Sequence, residues 1–151
     1  MIKIRPYCRE FLKKMKEHYE IIIFTASTAG YAETIIKELD PQRKYISYIL
    51  DRNFCLETKN GFYIKDLRII KNRQLKNMII VDNLVHSFGF QIDNGIPILE
   101  WTGNKQDEEL RYLMDYLIEA KKYDDVREYN KEKLKLVELA NSNIDEFLLD
   151  I

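Results

Sequence analysis

The hydrophobic pattern of the chain alternates between short apolar runs and segments whose apolar residues recur at helical spacing. Residues 21–24 and 78–81 are apolar at every position, which is typical of parallel strands covered by helices on both faces. Residues 96–99 are a third candidate strand, and residues 45–50 also predict a strand. Strands that alternate with helices indicate an α/β fold whose sheet is open and mostly parallel, with helices on both faces.

Helical spacing and chain-breaking residues predict the segments between the strands. Residues 6–18 predict an amphipathic helix, because Pro6 suits a first helical position and apolar residues recur behind it. A second helix follows the loop at residues 26–30 and ends near Asp40, which precedes a proline. A third helix begins near Asp107 and has one apolar stripe to pack on the sheet.

Two further segments complete the pattern. Residues 54–64 predict a small inserted β-hairpin, because the Asn60-Gly61 pair readily adopts the positive φ values of a tight turn. Residues 126–149 are helical in pattern and more polar. At 151 residues, of which 46% are apolar, the chain is long enough for one domain with a real core. We therefore expect a folded domain over residues 1–126 and a helical tail over residues 127–151.

Charge and hydropathy limit the partners of this domain. No apolar run is long enough to cross a bilayer and no secretory signal opens the chain, so we expect a nuclear or cytoplasmic protein without a membrane partner. Residues 1–99 hold 16 Lys and Arg against 11 Asp and Glu, a balance that favours an anionic ligand. These basic residues form no dense run, so direct nucleic-acid binding is not expected. Cys8 and Cys55 lack metal-type spacing and are expected to be reduced structural thiols.

Polar side chains follow two of the buried runs. Thr25 and Ser27 come after the first run, and Asp82 and Asn83 come after the second, with Lys65 between them in sequence. In open α/β sheets the ligand site lies beyond the carboxyl ends of the strands. A hydroxyl and backbone amides bind phosphate oxygens, a lysine neutralises their charge and an aspartate holds a divalent cation. These residues therefore predict a phosphoryl-binding site.

Each of these residues also has a simpler structural explanation. Thr25 or Ser27 could cap the helix that follows the first strand. Lys65 could be a solvated side chain, which is the default for a lone lysine. Asp82-Asn83 could form a turn, since both residue types favour turns.

Longer strings of sequence favour the functional interpretation. They are, in chain order, Arg5-Pro6, residues 19–27, Leu39-Asp40-Pro41, Asp51-Arg52, Lys65-Asp66-Leu67, residues 79–83, Ser87-Phe88, Ile96-Pro97-Ile98 and Trp101. In type and order these strings resemble the FCP/SCP-type (NLI-interacting-factor-like) phosphatase domain of the haloacid dehalogenase-like (HAD-like) superfamily, and the resemblance spans roughly residues 3–126. The resemblance implies a HAD-like sheet that carries the β-hairpin as an insert.

The activity that the resemblance implies is a magnesium-dependent phosphatase for phosphoserine and phosphothreonine, similar to phosphatases of the C-terminal domain of RNA polymerase II. Its partner would be a phosphoprotein or phosphopeptide. The implied catalytic residues are Thr25, which binds phosphate, Lys65, which stabilises its charge, Asp82, which holds Mg²⁺, and Asn83, its polar neighbour. Arg52 and Ser27 are the implied residues for binding the substrate phosphate.

One part of the family pattern is missing from the given residues. The nucleophile and the general acid of the superfamily lie in an Asp-x-Asp-x-Thr/Val motif at the end of the first strand, yet no two aspartates of this chain are two positions apart. Covalent phosphoryl transfer of this kind needs both carboxyl groups. We therefore expect the chain as given to be inactive. Its Mg²⁺ site should be weak, because Asp82 is the one family-matched carboxylate.

Three hypotheses remain open at this point. The chain could belong to a longer phosphatase that carries the motif upstream, it could be a non-catalytic phosphopeptide-binding or scaffold module, or it could be a half-enzyme completed by an upstream segment in trans.

In the family the missing strand lies between the strands that end at Thr25 and Asp82. Two inner edges would then be unpaired, so we expect self-association or strand complementation at this slot.

Overall fold

The computed structural model describes residues 2–142, which form five α-helices and six β-strands. The helices are α1 (Cys8–Met15), α2 (Ala29–Leu39), α3 (Glu109–Ala120), α4 (Val126–Leu134) and α5 (Leu136–Ser142). The strands are β1 (Ile21–Phe24), β2 (Ile46–Leu50), β3 (Leu56–Glu57), β4 (Tyr63–Ile64), β5 (Ile80–Asp82) and β6 (Gly95–Pro97). Segments of 3₁₀ helix at Arg52–Phe54, Leu67–Ile69, Leu75–Asn77 and Val85–Asn94 connect them. Over the described range, no helix is long and apolar enough to span a membrane.

The strands follow the apolar runs, with shifted ends. β1 occupies the predicted residues, whereas β5 begins at Ile80 because a 3₁₀ turn binds the Met78 amide to the Leu75 carbonyl at 3.1 Å. β6 covers Gly95–Pro97 instead of residues 96–99. The predicted hairpin is present as the antiparallel pair of β3 and β4, and Gly61 adopts a φ of 79° at its turn.

α2 ends at Leu39 as predicted, whereas the first helix and the tail differ from their patterns. α1 begins at Cys8 rather than at residue 6, because Tyr7 before it lies in the left-handed region with a φ of 63°. The tail is helical as far as Ser142, but Lys135 has a φ of 52° and separates α4 from α5. Residues 143–151 of the predicted tail lie outside the described residues. The domain division at residue 126 stays a prediction.

The predicted α/β class is confirmed, and the parallel strands occur as two separate pairs. β1 runs parallel to β2, with Ile23 opposite Ile49, and β5 runs parallel to β6, with Val81 opposite Ile96. Within the part of the chain that the structure describes, β1 pairs with no other strand than β2, and β5 with no other than β6. The second edge of β1 and the second edge of β5 therefore carry no strand from residues 2–142.

One hydrophobic core nevertheless connects the two pairs. Its buried members are Met15, Ile96, Leu113, Met114 and Leu117, contributed by α1, β6 and α3. Ile21 from β1 and Val81 from β5 both pack against this cluster. All four side chains of β1 are apolar, yet each is only partly buried. Incomplete burial of four successive apolar side chains indicates that another element can pack beside β1.

An ion pair fixes the segment before α1 to the loop before α3. The guanidinium of Arg5 donates from Nε and Nη2 to the two oxygens of Asp107 at 2.7 and 2.9 Å, and from Nη1 to the Leu99 carbonyl at 2.8 Å. Both side chains are mostly buried, at 14% and 12% exposed. This contact also lowers the pKa of Asp107. The amino-terminal end of the described chain is therefore held beside β6 and α3.

Candidate functional site

Thr25 stands directly after β1 and begins the loop that leads into α2. Its backbone amide donates to the Leu50 carbonyl at 2.8 Å, which extends the pairing of β1 with β2 by one residue. Its hydroxyl oxygen accepts a hydrogen bond from the Ser27 amide at 3.1 Å. The Thr28 side chain makes no capping bond to α2. The Thr25 hydroxyl therefore shapes the turn at the carboxyl end of β1, which is where the sequence predicts a phosphate ligand.

Lys65 and Asp82 form a largely buried ion pair. Lys65 follows β4, and its backbone amide donates to the Ser87 carbonyl at 2.7 Å. Its ammonium lies 2.5 Å from Oδ2 of Asp82, the last residue of β5. The two side chains are 13% and 6% exposed. Oδ1 of Asp82 accepts from the Leu84 amide at 2.9 Å, so both carboxylate oxygens have partners.

Arg52 connects the insert to the loop after β1. Its backbone amide donates to the Ser27 carbonyl at 2.9 Å, and its guanidinium Nε donates to the Ala26 carbonyl at 2.7 Å. The guanidinium carbon lies 5.2 Å from the centre of the Tyr63 ring. Arg52 is exposed, so nitrogens of the guanidinium face solvent and are accessible to an anion.

Cys55 lies where these groups meet, and the sequence did not predict its place there. Its thiol contacts the Thr25 carbonyl, with 3.6 Å between sulfur and oxygen. Burial raises the pKa of this thiol, and the charge of Lys65 opposes the shift. Arg52 and Asp82 also lie close enough to act on it. The thiol of Cys55 therefore contacts the carboxyl end of β1, and the Lys65–Asp82 pair and the Arg52 guanidinium lie within electrostatic range of it.

The other predicted members contribute less in the described structure. Ser27 takes part through its backbone groups, which bind Thr25 and Arg52. Asn83 is exposed next to Asp82, and no hydrogen bond of its side chain is seen within residues 2–142. The roles of Thr25, Lys65, Asp82 and Asn83 in catalysis, and of Arg52 and Ser27 in substrate binding, stay predictions.

A divalent cation does not fit the donors that are present. Among the described residues, no three His, Cys, Asp or Glu side chains are grouped so as to hold a metal ion. Asp82 supplies one carboxylate, and the ammonium of Lys65 occupies one of its oxygens. Mg²⁺ requires near-octahedral oxygen coordination, which one occupied carboxylate does not provide. Asp82 can serve as one ligand, and the remaining oxygen ligands would have to come from groups other than the carboxylates grouped here.

Comparison with known proteins places these residues in a family. The family described as "NLI interacting factor-like phosphatase" matches the chain over residues 1–127. The chain is 43% identical over 139 residues to CTD small phosphatase-like protein 2 of Dictyostelium discoideum, covering 92% of this chain and 24% of that protein. It is 36% identical over 125 residues to mitochondrial import inner membrane translocase subunit TIM50 of Candida glabrata, covering 82% of this chain and 25% of that protein.

The fold also resembles a solved structure. Fcp1, an essential RNA polymerase II CTD phosphatase, superposes with a TM-score of 0.66 at 18% identity, over 92% of this chain and 50% of that chain. At this identity the likeness shows the fold, which is HAD-like, as the sequence predicted. The chain spans about a quarter to a half of the length of these proteins.

Proposed function

Because the chain belongs to the NLI interacting factor-like phosphatase family, we propose that it forms the phosphate-binding part of a protein phosphatase domain specific for phosphoserine or phosphothreonine. The observation that carries this proposal is the Lys65–Asp82 ion pair at the carboxyl end of β5, together with the Arg52 guanidinium that is bound to the loop after Thr25. An ammonium, a guanidinium, a hydroxyl and backbone amides are the groups that bind a phosphoryl oxygen. The proposed partner is a phosphoprotein, such as the phosphorylated C-terminal domain of RNA polymerase II.

The residues given bind and orient a phosphate but have no carboxylate free to attack it. Lys65 neutralises charge on the phosphoryl group, Arg52 holds an exposed oxygen, and the loop of Thr25 supplies amides. Asp82 holds the ammonium of Lys65 in place. Its own oxygens are both engaged, and no Asp-x-Asp pair exists in the 151 residues. We therefore propose that these residues alone do not hydrolyse a phosphate ester.

A strand that carries the nucleophile would complete the site between β1 and β5. Support comes from the open second edges of both strands and from the partly buried apolar side chains of β1. Unpaired backbone groups on two inner edges are costly when shielded from water, so the slot favours an added strand. We propose that a segment outside residues 2–142 fills it, from the same polypeptide or from a partner, and that the bare chain otherwise self-associates there.

Magnesium would enter the site with that strand. Phosphatases of this fold generally depend on Mg²⁺. The chemistry that the ion supplies is neutralisation of charge on the phosphoryl oxygens. Asp82 is the ligand that this chain offers, and a carboxylate on the added strand would be the second.

Phosphate binding is the first test of the proposal. Titration of the 151-residue chain with phosphoserine, followed by NMR, should shift the amides of residues 25–28 and of Lys65. Arg52→Ala should weaken binding and lower stability only slightly, because its contacts with Ala26 and Tyr63 are made by an exposed side chain. Lys105→Ala removes an exposed lysine elsewhere and serves as the control. Unchanged affinity in Arg52→Ala, or shifts confined to another surface, would refute the site.

Hydrolysis and strand pairing provide the second test. The chain alone should hydrolyse an aryl phosphate in Mg²⁺ buffer no faster than buffer does. Addition of an apolar peptide that ends in Asp-x-Asp-x-Thr should produce turnover and should slow hydrogen exchange in both β1 and β5. The open slot would be contradicted if the chain alone were a stable monomer and the amides on the second edges of β1 and β5 were already strongly protected from hydrogen exchange.

The translocase relative favours a second candidate function, a non-catalytic scaffold module. The two candidates differ when the slot is filled: an enzyme gains turnover, whereas a scaffold binds phosphopeptide or partner and gains none. They also differ in location. We propose a nuclear or cytoplasmic protein on the phosphatase hypothesis, whereas a mitochondrial signal in fluorescence microscopy of the tagged protein would support the scaffold.

A further inference from the structure

A cleft of about 520 Å³ lies at the amino end of β2, away from the candidate phosphate site at the carboxyl end. One wall is the face of α1 that carries Arg9 and Lys13, and the other is the loop of residues 39–45 between α2 and β2. This loop enters β2 at its amino end, whereas Thr25 binds Leu50 at the carboxyl end. The cleft is therefore independent of the phosphatase proposal.

A buried carboxylate holds the loop wall in one shape. Asp40 is 2% exposed, and its two oxygens accept hydrogen bonds from the amides of Lys44, Tyr45 and Ile46 at 2.9, 2.8 and 2.9 Å. The carbonyl of Asp40 also accepts from the Arg43 amide at 3.0 Å. These bonds fix the backbone that presents Lys44 to the cleft. The wall is thus formed before any ligand arrives, which lowers the entropy cost of binding.

The cations in the cleft are largely uncommitted. Within residues 2–142, the structure shows no ion pair for Lys13 or for Lys44. Arg9 pairs with Glu38 at 3.0 Å, but both side chains are 53% exposed, and such pairs are weak. Glu10 is the one exposed carboxylate in the lining, since Asp40 is buried. Asp40 is buried but ionised, so the lining carries a formal charge of +1, and the exposed part of that charge comes from Lys13 and Lys44.

The floor between these cations is apolar. Leu39 and Tyr45 line the cleft and pack on the core cluster of Leu12, Ile36 and Ile46, and Pro41 lies beside them. A site of this size holds an apolar side chain and its flanking backbone. An inorganic anion would use the lysines but leave this floor exposed, whereas an acidic peptide with an apolar residue at its centre would cover both.

We propose that this cleft is a docking site for an acidic segment of a protein partner, with one apolar side chain on the floor and carboxylates beside Lys13 and Lys44. The segment binds in extended form across the mouth, between α1 and the loop. Its charge complements the two lysines, and its apolar residue provides the part of the affinity that salt does not screen.

A short synthetic peptide tests this assignment. A peptide with two glutamates on each side of a central leucine, and with blocked ends, should bind the full chain. It should shift the amide signals of α1 and of residues 39–45 in NMR spectra. The double variant Lys13→Glu, Lys44→Glu should weaken binding by about tenfold. The matched control Lys3→Glu, Lys105→Glu makes the same charge change at two exposed lysines elsewhere and should leave affinity unchanged.

Three outcomes would overturn the docking site. Equal binding of the analogue with glutamine in place of glutamate would show that charge is irrelevant. Inorganic phosphate could displace the peptide from the same lysines, and replacing the central leucine by glycine could leave the affinity of the peptide unchanged. These two results together would indicate a simple anion site. Equal weakening by the control variant would indicate nonspecific attraction. Arg52→Ala should not change peptide binding, so failure here and failure of the phosphate site are distinguishable.

Discussion

Replacing Asp82 by asparagine should strengthen phosphate binding, although the residue belongs to the candidate catalytic site. In the structure the ammonium of Lys65 is neutralised by Asp82 at 2.5 Å. Asp82→Asn removes that negative charge and keeps an oxygen that can accept from the Leu84 amide. The charge of Lys65 then becomes available to an incoming anion, and the repulsion between Asp82 and that anion disappears.

The size of the effect follows from the geometry of the pair. An anion bound to the ammonium of Lys65 would lie about 6 Å from the Asp82 carboxylate, because each contact is about 3 Å long. With an effective dielectric of about 40 to 80 at this partly open site, removing one negative charge gains about 0.7 to 1.4 kcal/mol for each phosphate charge. Affinity for phosphoserine should therefore rise by about threefold to tenfold per charge.

Isothermal calorimetry or phosphorus NMR on the variant and the unmodified chain measures this change. Asp124→Asn is the matched control, because it makes the same change in charge elsewhere. The side chain of Asp124 is 96% exposed and pairs with Lys76. The variant should also be less stable without phosphate, because Lys65 loses its partner in a mostly buried position. Phosphate should then raise its melting temperature more than that of the parent. Unchanged or weaker binding would show that Lys65 does not carry the anion site.

Three stability predictions follow from other contacts. Arg5→Ala leaves the buried carboxylate of Asp107 unpaired and should lower the free energy of unfolding in urea by about 3 kcal/mol, and a loss below about 1 kcal/mol would mean that the pair is not intact in solution. Asp40→Ala deprives three backbone amides of their acceptor and should cost about 2 to 4 kcal/mol at pH 7. Burial raises the pKa of Asp40, but its hydrogen bonds and Arg43 lower it by more, so this stability is present above the ordinary pKa of 3.8. The part of this stability that belongs to the charged form is lost as pH falls through the lowered value, so the difference between parent and variant should narrow in acid; a difference that stays constant or widens as pH falls would contradict this. Gly95→Ala places a β-carbon in the ring of the fully buried Phe88 and should destabilise by about 1 to 3 kcal/mol in thermal melts, whereas a neutral result would show that this packing is loose.

Local sequence determined the elements whose signals lie within a few residues. β1 was predicted at its observed residues, because four successive apolar side chains suit a covered parallel strand. The hairpin followed from Asn60-Gly61, since Gly61 adopts the positive φ that this turn requires. Thr25, Lys65 and Asp82 were identified as candidates because strand ends and family strings are also local features. The ends of α1 and β5 were misplaced, since a left-handed Tyr7 and a 3₁₀ turn leave no periodic signal.

Only the tertiary structure decided how distant segments meet. The contact of Lys65 with Asp82 joins residues 17 positions apart, and that of Cys55 with Thr25 joins residues 30 apart. No periodicity encodes such contacts, because they depend on how the insert packs against the strand ends. The separation of the parallel strands into two pairs, and the cleft that α1 forms with the loop of residues 39–45, arise in the same way. Hydrophobic pattern specifies which faces are buried, whereas long-range packing decides which edges stay open and which charges meet.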